Sequence, residues 1–151
     1  MINYILFTTA TGEIFNSVMA AADSIDLTYI MTMHPDFDDD TQSYLTVPEF
    51  VDPKTNYVLS GVVTPRPLFS SVATFNKTTI TADGTDSAVL GPSLPNPTTV
   101  QAISSPSGGE STSLTTITDG SLTIKSSIQG FIRISLQAFP YQDELFLVIA
   151  E

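Results

Sequence analysis

Residues 78–100 read TTITADGTDSAVLGPSLPNPTTV, and this stretch decides the fold. Thr79, Ile80 and Thr81 alternate polar and apolar, Ala82-Asp83-Gly84 is a turn signal, and Ser87 to Leu90 forms a second short run. Pro92, Pro95 and Pro97 follow. Proline cannot donate to a β-ladder, so the pair closes there. The pattern predicts two strands joined by a turn.

The same grammar continues downstream. Alternating runs over 98–104, 113–118, 121–126, 130–138 and 144–150 are separated by turn signals at Pro95-Asn96-Pro97, Pro106-Ser107-Gly108-Gly109, Asp119-Gly120, Gly130 and Pro140. Short strands with a turn roughly every ten residues predict a two-sheet sandwich of the immunoglobulin-like kind. Asp119-Gly120 lies between two alternating runs, which predicts a hairpin with a primed turn. Alternation assigns Ile80, Val89, Val100, Leu114, Ile117, Leu122, Ile124, Ile132, Ile134, Leu136, Phe146 and Val148 to the core. Phe131, Phe139, Leu145 and Leu147 sit at the same spacing and are read as core too.

Upstream the chain is built differently. Asn3 to Phe7 and Glu13 to Met19 flank Thr11-Gly12 and read as a β-hairpin. Ile25, Leu27, Tyr29, Met31 and Met33 recur at period two, which predicts a strand over 25–33. Further strands are expected over 44–47 and 56–63, and Thr64-Pro65-Arg66-Pro67 reads as a semi-rigid linker. The expected architecture is all-β, with a small N-terminal β domain over 1–67 and an immunoglobulin-like sandwich over 68–151.

Composition narrows the function. Ser and Thr make up about a quarter of the 151 residues, as suits a β-rich chain rather than a helical one. The formal net charge is −11, with five basic residues, so binding nucleic acid through counterion release is not expected. There is no cysteine, hence neither a disulfide framework nor a thiolate metal site. The opening MINYILFTTATGE has no basic n-region and only a short apolar run, and no stretch reaches membrane-spanning length. Membrane insertion is not expected, and release by lysis as part of a particle accommodates both observations.

The one metal-like spacing is Asp36-x-Asp38-x-Asp40, which matches the opening of a calcium loop. Thr41 stands where that loop needs glycine and Val47 where it needs the bidentate glutamate, so a solvated acidic loop is the simpler reading. His34 is the sole histidine, placed beside Pro35, and is read as a surface side chain because no G-x-S-x-G or other nucleophile motif accompanies it. No catalytic residue, no cofactor and no enzymatic activity are expected.

The run Ile80-Thr81-Ala82-Asp83-Gly84-Thr85-Asp86-Ser87-Ala88, with Leu94-Pro95-Asn96-Pro97-Thr98-Thr99-Val100, Asp119-Gly120-Ser121-Leu122 and Ala138-Phe139-Pro140-Tyr141, resembles the bacterial immunoglobulin-like domains appended to bacteriophage virion proteins. Its I-x-A-D-G-x-D-x-A pattern is also similar to repeats of invasin-type adhesins. The N-terminal hairpin, Asn56-Tyr57-Val58 and Arg66-Pro67 look like the small β domain that precedes such modules in tailed phages.

The resemblance implies a non-enzymatic virion component, foremost a tail or tail-appendage subunit that makes subunit contacts or attaches to the host surface. Its expected partners are other virion proteins, copies of itself in a homo-oligomer, and a host cell-surface glycan or protein. The alternatives are a capsid decoration or head-fibre protein, a secreted adhesin or carbohydrate-binding module, and a glycoside hydrolase using converged carboxylates. The N-terminal domain is expected to dock on the particle and the sandwich to project from it.

Overall fold

A computed structural model describes the backbone of residues 1–106 and 109–151. The predicted turn at Pro106-Ser107-Gly108-Gly109 falls largely on residues outside that description. The chain divides into two compact units, Met1–Arg66 and Pro67–Glu151, and both are built mainly of β-strands.

In the first unit β1 (Ile2–Thr8) lies between β2 (Ile14–Ala20) and β3 (Gln42–Val47), antiparallel to both. Tyr4, Ile5 and Leu6 are all buried, because both faces of this small sheet are covered. Ile5 packs with Ile14, Val47, Val51 and Val58 on one face, and Tyr4 and Leu6 pack with Ala20 and Ile30 on the other. That explains the nearly continuous apolar run of β1, since a strand covered on both sides has no solvent face to fill with polar residues.

Gly12 fixes the hairpin against what packs on it. The N–H of Val58 donates to the Gly12 carbonyl at 2.8 Å, and Gly12 sits at φ +76 with no room for a side chain, a Cβ there falling 1.8 Å from the Val58 carbonyl oxygen.

The structure corrects three N-terminal expectations. Residues 25–33 are not a strand: Leu27–Met33 form α1, and Asp26 caps it by accepting the N–H of Tyr29 at 2.8 Å. A cap carboxylate satisfies an otherwise free helix donor, and Tyr29 and Ile30 then turn toward the sheet while Leu27, Met31 and Met33 face out. Residues 56–63 are not one strand either. They belong to a hairpin, β4 (Asn56–Leu59) with β5 (Val62–Pro65), whose two turn residues Ser60 and Gly61 have φ of 52 and 78, the primed geometry that follows strand twist. Thr64 and Pro65 therefore belong to β5 and not to a free linker. The N–H of Arg66 is held by Thr55, and the Pro67 carbonyl accepts from Gln142, so each of these neighbours is anchored within its own unit.

The second unit is a sandwich-like pair of sheets. A 3-10 turn at Phe69–Ser71 leads to β6 (Ala73–Phe75), β7 (Thr79–Ile80) and β8 (Ser87–Pro92). There follow β9 (Thr98–Pro106), β10 (Ser111–Ile117), β11 (Leu122–Lys125), β12 (Gly130–Gln137) and β13 (Glu144–Ala150). One sheet has the order β10-β9-β12-β13-β7 and the other β11-β8-β6. Ile80, Leu90, Val100, Ile134, Leu136 and Val148 are fully enclosed, each worth about 1.5–3 kcal/mol of burial.

Neither predicted hairpin in this unit is one. Strand β7 pairs with β13 in parallel, while β8 pairs with β11 and β6. The Ala82-Asp83-Gly84 turn thus carries the chain from one sheet to the other. Asp119-Gly120 does the same, since β10 pairs with β9 and β11 with β8. Gly120 adopts φ +79, and its carbonyl accepts the N–H of Leu94 at 3.0 Å, which ties this corner to the Leu94 loop rather than to a hairpin partner.

Candidate functional site

The outward face of the five-stranded sheet mixes polar side chains with exposed apolar ones, the latter gathered on β12 and β13. Along β12 the inward side chains are Ile132, Ile134 and Leu136, all buried, so Phe131, Arg133 and Ser135 point outward. The registers set Arg133 opposite Ile103 of β9 and Leu147 of β13, Ser135 opposite Gln101 and Leu145, and Phe131 opposite Ile149. Leu114 continues the row beyond Gln101.

Four of these residues correct the core expectation: Leu114, Leu145, Phe131 and Leu147 are 72%, 67%, 54% and 46% exposed. The alternation was ambiguous because β13 is apolar at both parities, with Phe146 and Val148 inward and Leu145 and Leu147 outward. Val89, a further core assignment, is only partly buried.

Among the described residues one ion pair interrupts the face. Arg133 Nη2 lies 2.9 Å from Glu110 Oε1, and both side chains are well exposed. Such a pair contributes little to stability. Its effect is to neutralise Arg133 in the middle of the sheet, leaving a surface able to pack against protein without stranding that cation.

A second surface lies in the first unit. His34 ends α1, donating its backbone N–H to Ile30, and it is half-buried rather than the free surface side chain expected. Its Nε2 is 2.8 Å from the hydroxyl of Tyr4, and the two rings meet edge to face. Burial, and secondarily the nearby Tyr29, raises the Tyr4 phenol above its ordinary value. Beside this pair is an open cleft of about 400 Å³ walled by Phe15, Met33 and Phe37, with His34, Asp36 and Gln42 at its polar side.

The acidic loop does not assemble a metal site. Asp36 faces this cleft, Asp39 lines a separate one, and Asp38 spends its carboxylate within the loop, accepting from the Asp40 N–H at 3.2 Å and the Thr41 hydroxyl at 2.7 Å. Among the described residues no three His, Cys, Asp or Glu side chains are grouped to hold a metal ion. Nor is any helix among them long and apolar enough to cross a membrane.

No protein-family model, curated protein or solved structure matches the chain.

Two features escaped the sequence reading. The Tyr4–His34 pair joins residues far apart in the chain, with no local spacing to betray it. The outer sheet face was hidden by its own apolarity, since exposed and buried leucines look alike until the sheet registers are known.

Proposed function

We propose that this protein is a non-enzymatic structural component of a tailed-phage virion, a tail or tail-appendage subunit whose second unit contacts neighbouring subunits or the host surface. The observation that carries this reading is the outward face bearing Ile103, Leu114, Phe131, Leu145, Leu147 and Ile149. Phe131, Leu145, Leu147 and Ile149 adjoin one another there, with Ile103 and Leu114 farther across the sheet, and an exposed apolar cluster on one sheet face is a usual mark of a protein–protein contact.

The resemblance at Ile80 to Ala88 supplies the setting. The sheet orders β11-β8-β6 and β10-β9-β12-β13-β7 favour an immunoglobulin-like sandwich, with the first strand divided between the sheets as β6 and β7. The first unit docks on the particle through the cleft beside His34, where Phe15 and Met33 stand exposed.

Full-length variants test this in particles assembled from the genome that encodes the chain. Met33→Glu is expected to keep the protein out of purified particles. Leu147→Glu is expected to leave docking intact while weakening contacts between neighbours. A protein recovered only on the bacterial surface, where it binds glycans as a monomer, would support the adhesin instead.

A further inference from the structure

The sheets of the second unit end in four edges, and three of them are guarded. Strand β7 has two residues and β6 three, with Lys77 just beyond β6, and β11 has four residues ending in Lys125. Short strands and edge lysines are the usual means of preventing sheet-to-sheet association.

The fourth edge, β10, has none of these protections. It is seven residues long, reads Ser111-Thr112-Ser113-Leu114-Thr115-Thr116-Ile117, and contains no charge and no proline. Its register with β9 runs from Ser111 to Ile117 without a bulge. Six of its seven residues are exposed, including Ser113 and Thr115 on the inner side, because the facing sheet has three strands against five and covers this strand only at Ile117. One whole row of backbone donors and acceptors is open along it.

We infer that β10 pairs with β10 of a second copy, antiparallel about a two-fold axis through Leu114. This joins the two five-stranded sheets into one.

The self-pairing follows from the composition of the strand. An antiparallel pair centred on Leu114 sets Leu114 against Leu114, Ser113 against Thr115, Thr112 against Thr116 and Ser111 against Ile117. Opposed leucines and β-branched pairs are favourable cross-strand neighbours, and no like charges meet. In a chain with net charge −11, an uncharged stretch is where two copies approach with least repulsion. A two-fold contact uses the same patch on both partners, as β10 can in this register.

The inference rests on the reading of the second unit as the part that contacts neighbouring subunits. Its test uses only the purified full-length protein, so failure to dimerise leaves the virion assignment standing, and absence from particles leaves the dimer standing. Sedimentation and light scattering should give twice the chain mass, and Leu114→Lys and Thr115→Pro should each return it to a single chain. Leu114 is exposed, so far-ultraviolet circular dichroism of Leu114→Lys should match the parent and separate loss of pairing from loss of fold.

The register has its own test. The chain has no cysteine, so Leu114→Cys introduces a single thiol that a short bis-maleimide should join across the axis, while Thr123→Cys on β11 should stay unlinked. A monomer at the highest attainable concentration overturns the inference. So does a dimer that survives Leu114→Lys, or equal cross-linking at both thiols.

Discussion

The N–H of Thr81 donates to Asp86 Oδ2 at 2.9 Å, and the other oxygen of the same carboxylate takes the ammonium of Lys77. The crossing from β7 to β8 is thus held by one side chain at its far end. Asp83 organises the near end, accepting from the N–H groups of Thr85 and Asp86 and from the Thr85 hydroxyl. The hydrogen bond from Lys77, then that from the Thr81 N–H, lowers the Asp86 carboxyl from 3.8 to about 2, and the Asp86 and Thr85 N–H groups lower Asp83. A carboxyl depressed in the folded state stabilises it fully above its unfolded value, and that contribution is lost as pH falls toward the folded value. Stability should therefore decline from about pH 4 toward pH 2. Urea midpoints measured across this range should fall less steeply for Asp86→Asn than for the parent; equal slopes would remove Asp86 from the acid response.

Gly12 and Gly61 both have φ near +77, at 76 and 78, but only Gly12 is hemmed in. Gly61→Ala meets no atom within 4 Å, so it should cost only the left-handed backbone penalty of about 1–2 kcal/mol. Gly12→Ala must also displace the Val58 carbonyl and should cost more than about 4 kcal/mol. Chemical denaturation of the two variants measures the difference, and similar losses would show that β4 yields to the collision.

These glycines mark how far the sequence could be read. Turn chemistry was legible at Thr11-Gly12, at Ala82-Asp83-Gly84 and at Asp119-Gly120, where glycine adopts the positive φ that the residue pattern implies. Pairing was not legible. A turn motif constrains a few backbone angles, whereas the partner of the next strand is set by which sheet needs its apolar face, and Ile117 and Leu122 reach one core from opposite sheets. In the same way Ser60-Gly61 passed for strand interior because Leu59 and Val62 flank it with β-favouring side chains. At Asp26 the helix cap prevailed over a period-two pattern whose apolar residues at Leu27, Met31 and Met33 turn out to be exposed.

Tyr4 and His34 form the polar centre of the first unit. Tyr4→Phe keeps the ring and removes the hydroxyl, and should lower stability by about 1 kcal/mol. A double-mutant cycle with His34→Gln should return a coupling of about 0.5–1.5 kcal/mol; additivity would mean that water replaces the contact without loss. The raised Tyr4 phenol adds an alkaline limb. Its contribution is complete below the ordinary value of 10 and disappears as pH rises through the folded one, a decline that Tyr4→Phe should lack.

Inner and outer faces of β12 and β13 should differ sharply in what truncation costs. Leu136→Ala removes a fully buried side chain and should cost about 2–5 kcal/mol. Leu145→Ser and Leu147→Ser, on the exposed face, should stay within about 0.5 kcal/mol of the parent in the isolated protein. A large loss at either leucine would make that face part of the fold rather than a contact surface.

The virion assignment meets its most direct test in cryo-electron microscopy of purified particles assembled from the encoding genome, with the protein content of the same particles read by mass spectrometry. The chain should be present as a regular component, with the Leu145 and Leu147 face against another protein and the cleft beside His34 seated on the particle body. Particles that lack the chain, while it accumulates free in the lysate, would contradict a structural role.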